Sequence, residues 1–242
     1  MFILAGLGLN LKSISLEGIE ACRKADKIYI ENYTVELPYD IQEIEKTIGK
    51  KIIMLTRTIV ENEKFIEEAK SKNIALLVYG SPLIATTHIS LVLKCKKERI
   101  DYKIIHNASI FDAISETGLQ FYKFGKTASM PKWEDNYKPD SFLKIIKDNK
   151  KIKAHTLLLV DIGLSFGNAL KQLETALEKE SKLKAKLKKL VVCSQLGNEK
   201  QKIYYDTIEE LYEKEAYAPF CFIIPSELHF LEEEFLNVVS RE

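Results

Sequence analysis

The chain has 242 residues, enough for one large domain or two small ones, and 46% of them are hydrophobic, enough to fill the core of a folded enzyme. Its 36 basic and 35 acidic residues leave a formal net charge of +1. This balance argues against a basic tail that coats nucleic acid and against an acidic disordered chain, and it leaves a local basic patch open.

The first half of the chain alternates strand and helix patterns. Its opening strand is continuously apolar, as expected for a strand buried on both faces of a parallel sheet. Five strand-helix pairs with short loops favour a parallel sheet covered by helices on both sides. The alternative is an arbitrary α+β arrangement. The predicted strands are 2–5, 27–30, 52–55, 74–79 and 102–105, and the predicted helices are 13–25, 41–48, 61–71, 85–97 and 109–119.

The second half begins a new series of elements. Glycines flank an aromatic segment near residues 120–126, so we predict an N-terminal α/β domain over 1–122 and a C-terminal α/β domain over 123–242. The lysine-rich segments 144–153 and 179–189 are more typical of solvated faces than of a binding patch. The predicted strands are 127–130, 156–161, 190–194 and 220–224, and the predicted helices are 141–147, 169–187, 208–214 and 228–239.

Neither the N-terminal segment nor the cysteines indicate secretion. The apolar part of segment 1–15 is short and has neither a basic region before it nor a cleavage site after it, so we expect no signal peptide. No apolar run approaches the roughly 20 residues of a membrane-spanning helix. The four cysteines form no CxxC pair, which predicts buried reduced thiols. We therefore expect a cytoplasmic protein with no membrane or nucleic-acid partner.

Common catalytic and metal-binding patterns do not occur. The four histidines form neither HxxxH nor HExxH, so we expect no metal. There is no GxSxG, and no acidic pair stands out for glycosidase chemistry. Segment 6–11 (GLGLNL) has Leu11 where a dinucleotide fingerprint needs its third glycine, and no GxxxxGK[ST] phosphate loop is present. The two glycines serve either a tight turn near a ligand or a tight turn alone.

Small or polar residues follow three of the predicted strands. They lie in segments 6–9 (GLGL), 80–84 (GSPLI) and 107–110 (NASI). Taken singly, the second loop is slightly better explained as a capped helix start with one hydrogen-bonded histidine, His88. Ligands of open α/β sheets bind beyond the carboxyl ends of the strands. We therefore predict that the three loops converge at one edge, in a site that binds and orients rather than attacks.

Together these motifs resemble the diphthine synthases, which are S-adenosylmethionine-dependent methyltransferases of the tetrapyrrole methylase superfamily. The resemblance spans essentially the whole chain in unbroken order. It is carried by segments 6–9 (GLGL), 85–88 (ATTH), 106–110 (HNASI), 118–125 (GLQFYKFG), 155–162 (HTLLLVDI) and 228–229 (LH).

The resemblance implies two α/β domains, the first with a mainly parallel sheet and the second with a mixed sheet, and a cofactor cleft between them. It also implies a homodimer. The implied cofactor is S-adenosyl-L-methionine, with S-adenosyl-L-homocysteine as product. The implied reaction methylates the amino group of the aminocarboxypropyl-histidine of translation elongation factor 2. The number of methyl groups transferred stays open.

By the same resemblance, the cofactor contacts are largely backbone groups. Ser81 stands where relatives usually have aspartate, and segment 194–197 (SQLG) stands where they often have Ala-Arg-x-Gly. No catalytic residue is assigned, although His88, Tyr122 and Asp161 lie near the motifs as candidate bases. The residues carried over as cofactor contacts are Leu9, Ser81, Ile84, Ser109, Ile110, Ile162, Leu196 and His229.

Two other functions stay open at this stage. One is a methyltransferase of the same fold that acts on a corrin precursor, against which the ATTH and NASI segments argue. The other is a non-catalytic protein that binds elongation factor 2, which the replacements at Ser81 and Gln195 leave open. Cofactor binding separates a catalyst from a pure binder, and a substrate assay separates a protein acceptor from a corrin.

Overall fold

The computed structural model describes residues 1–185 and 187–240. Two compact α/β units make up the chain, Met1–Asp112 and Ala113–Glu242. The predicted domain boundary at 122/123 lies C-terminal of this division. Residue 186, which falls within the predicted helix 169–187, and residues 241 and 242 lie outside the described residues.

The first unit contains a five-stranded parallel sheet in the order β3-β2-β4-β1-β5. Every residue of β1 and β4 is buried, which explains why these two strands are continuously apolar in sequence. The strands are β1 (Phe2–Gly6), β2 (Lys27–Glu31), β3 (Ile53–Leu55), β4 (Ile74–Val78) and β5 (Tyr102–Ile105).

Helices cover both faces of this sheet. Alternate residues of β1 enter different cores: Phe2 and Leu4 pack on one face, and Ile3 and Ala5 on the other. The predicted parallel sheet with two covered faces is thus confirmed. The helices are α1 (Leu16–Lys24), α2 (Ile41–Ile48), α3 (Arg57–Glu61), α4 (Ile89–Glu98) and α5 (Ile110–Ala113), with a 3₁₀ segment at Lys64–Lys70.

Two helices predicted for the first half are not single α-helices in the structure. The predicted helix 61–71 is wrong as a single α-helix, because α3 ends at Glu61 and a 3₁₀ segment follows. Between them Glu63 adopts a left-handed φ of 57°, which interrupts the helical hydrogen bonds. The predicted helix 109–119 consists of the four-residue α5 and a 3₁₀ segment, Ile114–Thr117.

The second unit contains a mixed five-stranded sheet in the order β6-β7-β10-β8-β9. Only β6 and β7 are parallel, and each remaining neighbouring pair is antiparallel. The mixed sheet was predicted, but β9 was missed. The strands are β6 (Ala128–Met130), β7 (Thr156–Val160), β8 (Leu190–Ser194), β9 (Lys202–Asp206) and β10 (Phe220–Ile224).

The main core of the second unit lies between this sheet and the long helix α7. The predicted helix 169–187 is corrected to two helices, since α7 starts at Phe166, behind the cap Ser165, and the chain leaves helical geometry at Glu180. The helices are α6 (Ser141–Lys151), α7 (Phe166–Glu178), α8 (Ser181–Lys184), α9 (Ile208–Leu211) and α10 (Phe230–Val239), with a further 3₁₀ segment at Phe121–Lys123.

Cysteine state, metal ligands and membrane spans can be read from the described residues. All four cysteines are buried and free, which confirms the prediction of reduced thiols. Among residues 1–185 and 187–240, no three His, Cys, Asp or Glu side chains are grouped so that they could hold a metal ion. Nor does any helix in this part of the chain combine the length and apolarity needed to cross a membrane.

Candidate active site

The loops after β1 and β4 are hydrogen-bonded to each other through their glycines. Gly8 N donates to the Gly80 carbonyl oxygen at 3.1 Å, and Gly80 N donates to the Gly8 carbonyl oxygen at 2.9 Å. Because β1 and β4 are adjacent parallel strands, both loops leave the same edge of the sheet. The two loops therefore form one connected piece of backbone.

Asn107 joins the loop after β5 to the same edge. Its side-chain amide donates to the Gly6 carbonyl oxygen at 3.1 Å and to the Ser13 carbonyl oxygen at 2.8 Å. Strand β5 is the other neighbour of β1 in the sheet. The predicted convergence of the three loops at one edge is confirmed.

Close backbone packing explains the two glycines after β1. A Cβ atom on Gly6 would lie 2.5 Å from the Gly80 carbonyl oxygen, closer than non-bonded atoms approach. A Cβ atom on Gly8 would lie 2.3 Å from Ser13 Oγ, and Gly8 also has a left-handed φ of 73°. The GLGL motif is thus required by the contacts between the loops, whatever ligand they hold.

The loop after β4 combines buried and exposed candidate residues. Ser81 is buried, whereas the Ile84 side chain is 42% exposed. Ile84 N donates to the Ser81 carbonyl oxygen at 3.2 Å, which closes a turn around Pro82. On the neighbouring loop after β1, Leu9 is buried, and its carbonyl oxygen accepts from the Tyr79 hydroxyl at 3.0 Å.

Ser109 and Ile110 lie where the loop after β5 enters α5. The Asp112 carboxylate accepts from Ser109 N at 2.7 Å and from Ser109 Oγ at 2.9 Å. Phe111 N donates to Ser109 Oγ at 3.2 Å. The serine is therefore an N-cap, and it is also the partner of a carboxylate that sequence reasoning did not single out.

The second unit holds the remaining three candidate contacts. Ile162 is half-buried and follows β7, and Leu196 is buried and follows β8, so both leave the same edge of the mixed sheet. His229 follows β10, which runs antiparallel to both strands. The sheet by itself does not bring His229 to the edge of the other two. His229 is exposed and caps α10, where its Nδ1 accepts from Leu231 N.

The three candidate bases occupy different surroundings. His88 is buried, with both ring nitrogens in hydrogen bonds. Tyr122 is 97% exposed. Asp161 is exposed, and its carboxylate accepts from Lys132 N and Ile162 N, each at 3.0 Å. Asp161 therefore holds the backbone next to Ile162, and neither His88 nor Asp161 is an unpaired base.

A buried ionic cluster, which we call the Glu232 cluster, surrounds the start of α10. The fully buried Glu232 accepts hydrogen bonds from Gln120 N, His229 N, Lys123 Nζ and His155 Nε2. Burial alone would raise the pKa of Glu232, but these donors outweigh it and lower the pKa to about 2. The cluster thereby fixes the backbone of His229.

Sequence reasoning missed the buried acid of this cluster. Glu232 has the spacing of a capping box, three residues after its N-cap, and this local signal could have identified it. Its partners Gln120, Lys123 and His155 are more than 70 residues away in sequence, and no local pattern indicates them.

Known proteins match the chain over nearly its full length. The family described as Tetrapyrrole (Corrin/Porphyrin) Methylases matches residues 1–212. A diphthine synthase of Methanococcus aeolicus is 43% identical, with 100% of this chain and 98% of the relative covered. A diphthine methyl ester synthase of Schizosaccharomyces pombe is 35% identical, with 99% and 94% covered.

A solved structure agrees with these relatives. A crystal structure of a diphthine synthase superposes with a TM-score of 0.87 at 34% identity, covering 99% of this chain and 96% of that one. Its likeness extends over both α/β units. The chain therefore belongs to the tetrapyrrole methylase family and, within it, to the diphthine synthases, the methyltransferases of diphthamide biosynthesis.

Proposed function

We propose that the chain transfers methyl groups from S-adenosyl-L-methionine to the amino group of the aminocarboxypropyl-histidine of translation elongation factor 2. The observation that carries this proposal is the connected edge formed by the loops after β1, β4 and β5, in a chain whose relatives are named diphthine synthases. The proposed product of the donor is S-adenosyl-L-homocysteine.

The residues of this edge suit a positively charged sulfonium donor. Segments 6–9, 80–84 and 107–110 contain no lysine or arginine that would repel it. They offer backbone groups, the Ser81 and Ser109 side chains and, beside Ser109, the carboxylate of Asp112. A site of neutral groups with one acidic neighbour favours a cation over a phosphate.

The proposed reaction needs no nucleophile from the protein. The bound donor supplies an activated methyl group, which the acceptor amine attacks directly. The chain then has to hold the amine unprotonated and in line with the carbon–sulfur bond, and positioning of this kind contributes roughly 7–11 kcal/mol. The scarcity of unpaired bases among the candidates agrees with such a role.

We propose Leu9, Ser81, Ile84, Ser109 and Ile110 of the first unit as donor contacts, mainly through their backbone groups. Further donor contacts proposed in the second unit are Ile162, Leu196 and His229. The protein partner is elongation factor 2, and the working form is a homodimer in the cytoplasm, where translation takes place.

A matched pair of variants tests the proposal. Ile84→Trp adds bulk at the proposed site, and Ile89→Trp adds the same bulk at an exposed position of α4, 60% exposed. We expect calorimetry with S-adenosylhomocysteine to show at least tenfold weaker binding for Ile84→Trp and less than twofold change for Ile89→Trp.

Mass spectrometry of elongation factor 2 carrying the aminocarboxypropyl group should then show added methyl groups with the wild-type chain and donor. No binding of either cofactor form at millimolar concentration would overturn the proposal. Methylation of a corrin precursor, with none of the factor, would assign the other substrate class.

A further inference from the structure

We propose that His88 is a positioning residue of the methyl-donor site, holding Ser81 and Ile84 in place through the carbonyl group of Pro82. The inference rests on the proposed function, since it concerns the same donor site. His88 is 1% exposed and follows the loop that carries both contacts. It acts on that loop and not on the reacting atoms.

The hydrogen bonds of His88 define one tautomer. Its Nδ1 lies 3.2 Å from the Pro82 carbonyl oxygen, which can only accept, so Nδ1 carries the hydrogen and donates. Its Nε2 lies 3.3 Å from the Tyr33 hydroxyl, which then donates to it. Burial lowers the pKa of His88 against the opposing effect of Glu31, which keeps the ring neutral as this arrangement requires.

Two further residues, Glu31 and Tyr33, hold the imidazole ring of His88 in place. Glu31 ends β2, is 1% exposed, and accepts from Tyr33 N at 3.0 Å and Thr34 N at 3.1 Å. The Tyr33 ring packs edge-on against His88, with ring centroids 6.1 Å apart. Glu31 therefore orients Tyr33, and Tyr33 orients His88. This buried row of side chains runs from the end of β2 to the loop after β4.

The loop after β4 needs such support because its backbone is strained. Ala85 adopts a left-handed φ of 56°, which residues with a Cβ atom seldom adopt unless their surroundings impose it. The Pro82 carbonyl, which accepts from His88 on one side, also accepts from Thr86 Oγ1 at 2.8 Å. Pro82 lies between the two proposed contacts, so fixing its carbonyl fixes both.

Two substitutions of His88 distinguish the roles of its two ring nitrogens. In His88→Asn the side-chain amide keeps a donor near the Nδ1 position, whereas His88→Gln places its polar group near Nε2 and loses the bond to Pro82. We expect His88→Gln to bind S-adenosylhomocysteine at least tenfold more weakly, and His88→Asn to recover most of that loss. In steady-state assays the KM for the donor should rise in His88→Gln while kcat stays within about twofold.

Amide hydrogen exchange tests the positioning without any ligand. The Ile84 N–H bonded to Ser81 should exchange at least tenfold faster in His88→Gln than in wild type, and close to the wild-type rate in His88→Asn. If His88→Gln fails to fold, Tyr33→Phe, which keeps the ring and removes only the hydroxyl, should still speed this exchange severalfold.

The outcomes are distinguishable. Unchanged Ile84 exchange in His88→Gln, or in Tyr33→Phe where His88→Gln does not fold, overturns the positioning role even if the wild type binds donor. Equal loss of binding in the Asn and Gln variants overturns it as well, because the bond to Pro82 would then not matter. A wild type that binds neither cofactor form overturns the proposed function and this inference with it.

Discussion

The Glu232 cluster gives the sharpest test of how the second unit is held together. The substitution Glu232→Gln keeps the size of the side chain and removes its charge. One of the two carboxylate oxygens becomes an NH₂ group, which then faces donors such as Lys123 Nζ or His229 N. At least one buried hydrogen bond is lost, and Lys123 loses its counter-charge.

Two estimates of the loss in the free energy of unfolding agree. The lowering of the Glu232 pKa from 4.5 to about 2 corresponds to roughly 3–4 kcal/mol of folding free energy, at about 1.4 kcal/mol per pH unit. Breaking a buried ion pair from one side costs about 3–5 kcal/mol, and the Lys123 side chain is 26% exposed, so the lower end applies. We expect the free energy of unfolding to fall by about 3 kcal/mol.

The single tryptophan makes this measurement specific to the second unit. Trp133 packs against the core of that unit, and its indole donates to the Pro139 carbonyl oxygen. Urea unfolding followed by its fluorescence therefore reports the unit that contains Glu232. The matched control is Glu233→Gln, an exposed residue of the same helix turn, which should lose at most about 1 kcal/mol.

A loss below about 1 kcal/mol in Glu232→Gln, or a loss equal to that of the control, would refute the reasoning. Either result would mean that solvent replaces the donors of Glu232 in the folded chain. The cluster would then not be the link that fixes the start of α10.

Two further predictions concern pH and the glycine loops. The stability of the second unit should fall as pH drops below 6.5, because burial lowers the pKa of His155 and the unfolded chain therefore takes up its proton first. Stability should fall again between pH 4.5 and about 2, as Glu232 is protonated. In unfolding followed by tryptophan fluorescence across pH, Glu232→Gln should keep the first decline and lose only the second. Gly8→Ala should lower the melting temperature clearly more than Gly49→Ala. Both glycines have left-handed φ, but only the methyl group added at Gly8 meets other side chains, those of Ser13 and Asn107, and equal shifts would contradict the packing argument.

Segments with a regular apolar pattern or a clear terminating residue could be predicted from the sequence. Continuous apolar runs identified β1 and β4, and Gly49 after an apolar period marked the end of α2 at Ile48. These signals are local, because burial on both faces and a left-handed helix end each demand particular residues at particular positions. The convergence of the loops followed from strand direction alone.

Other features have no local signal. Strand β9 was missed because it is a short, half-exposed edge strand whose pairing with β8 decides its structure. The contact of His88 with Tyr33 joins residues 55 positions apart, and neither residue belongs to a periodic pattern. Such tertiary hydrogen bonds depend on which strands become neighbours, and propensity does not encode that.

The paired glycines after β1 and β4 have a consequence for binding entropy. Gly8 and Gly80 are joined by two backbone hydrogen bonds within the fold itself. Ordering a free loop residue costs about 1–2 kcal/mol, and here that ordering takes place during folding. A small molecule that meets this edge would therefore encounter backbone groups already in place, and more of its contact energy would appear as affinity.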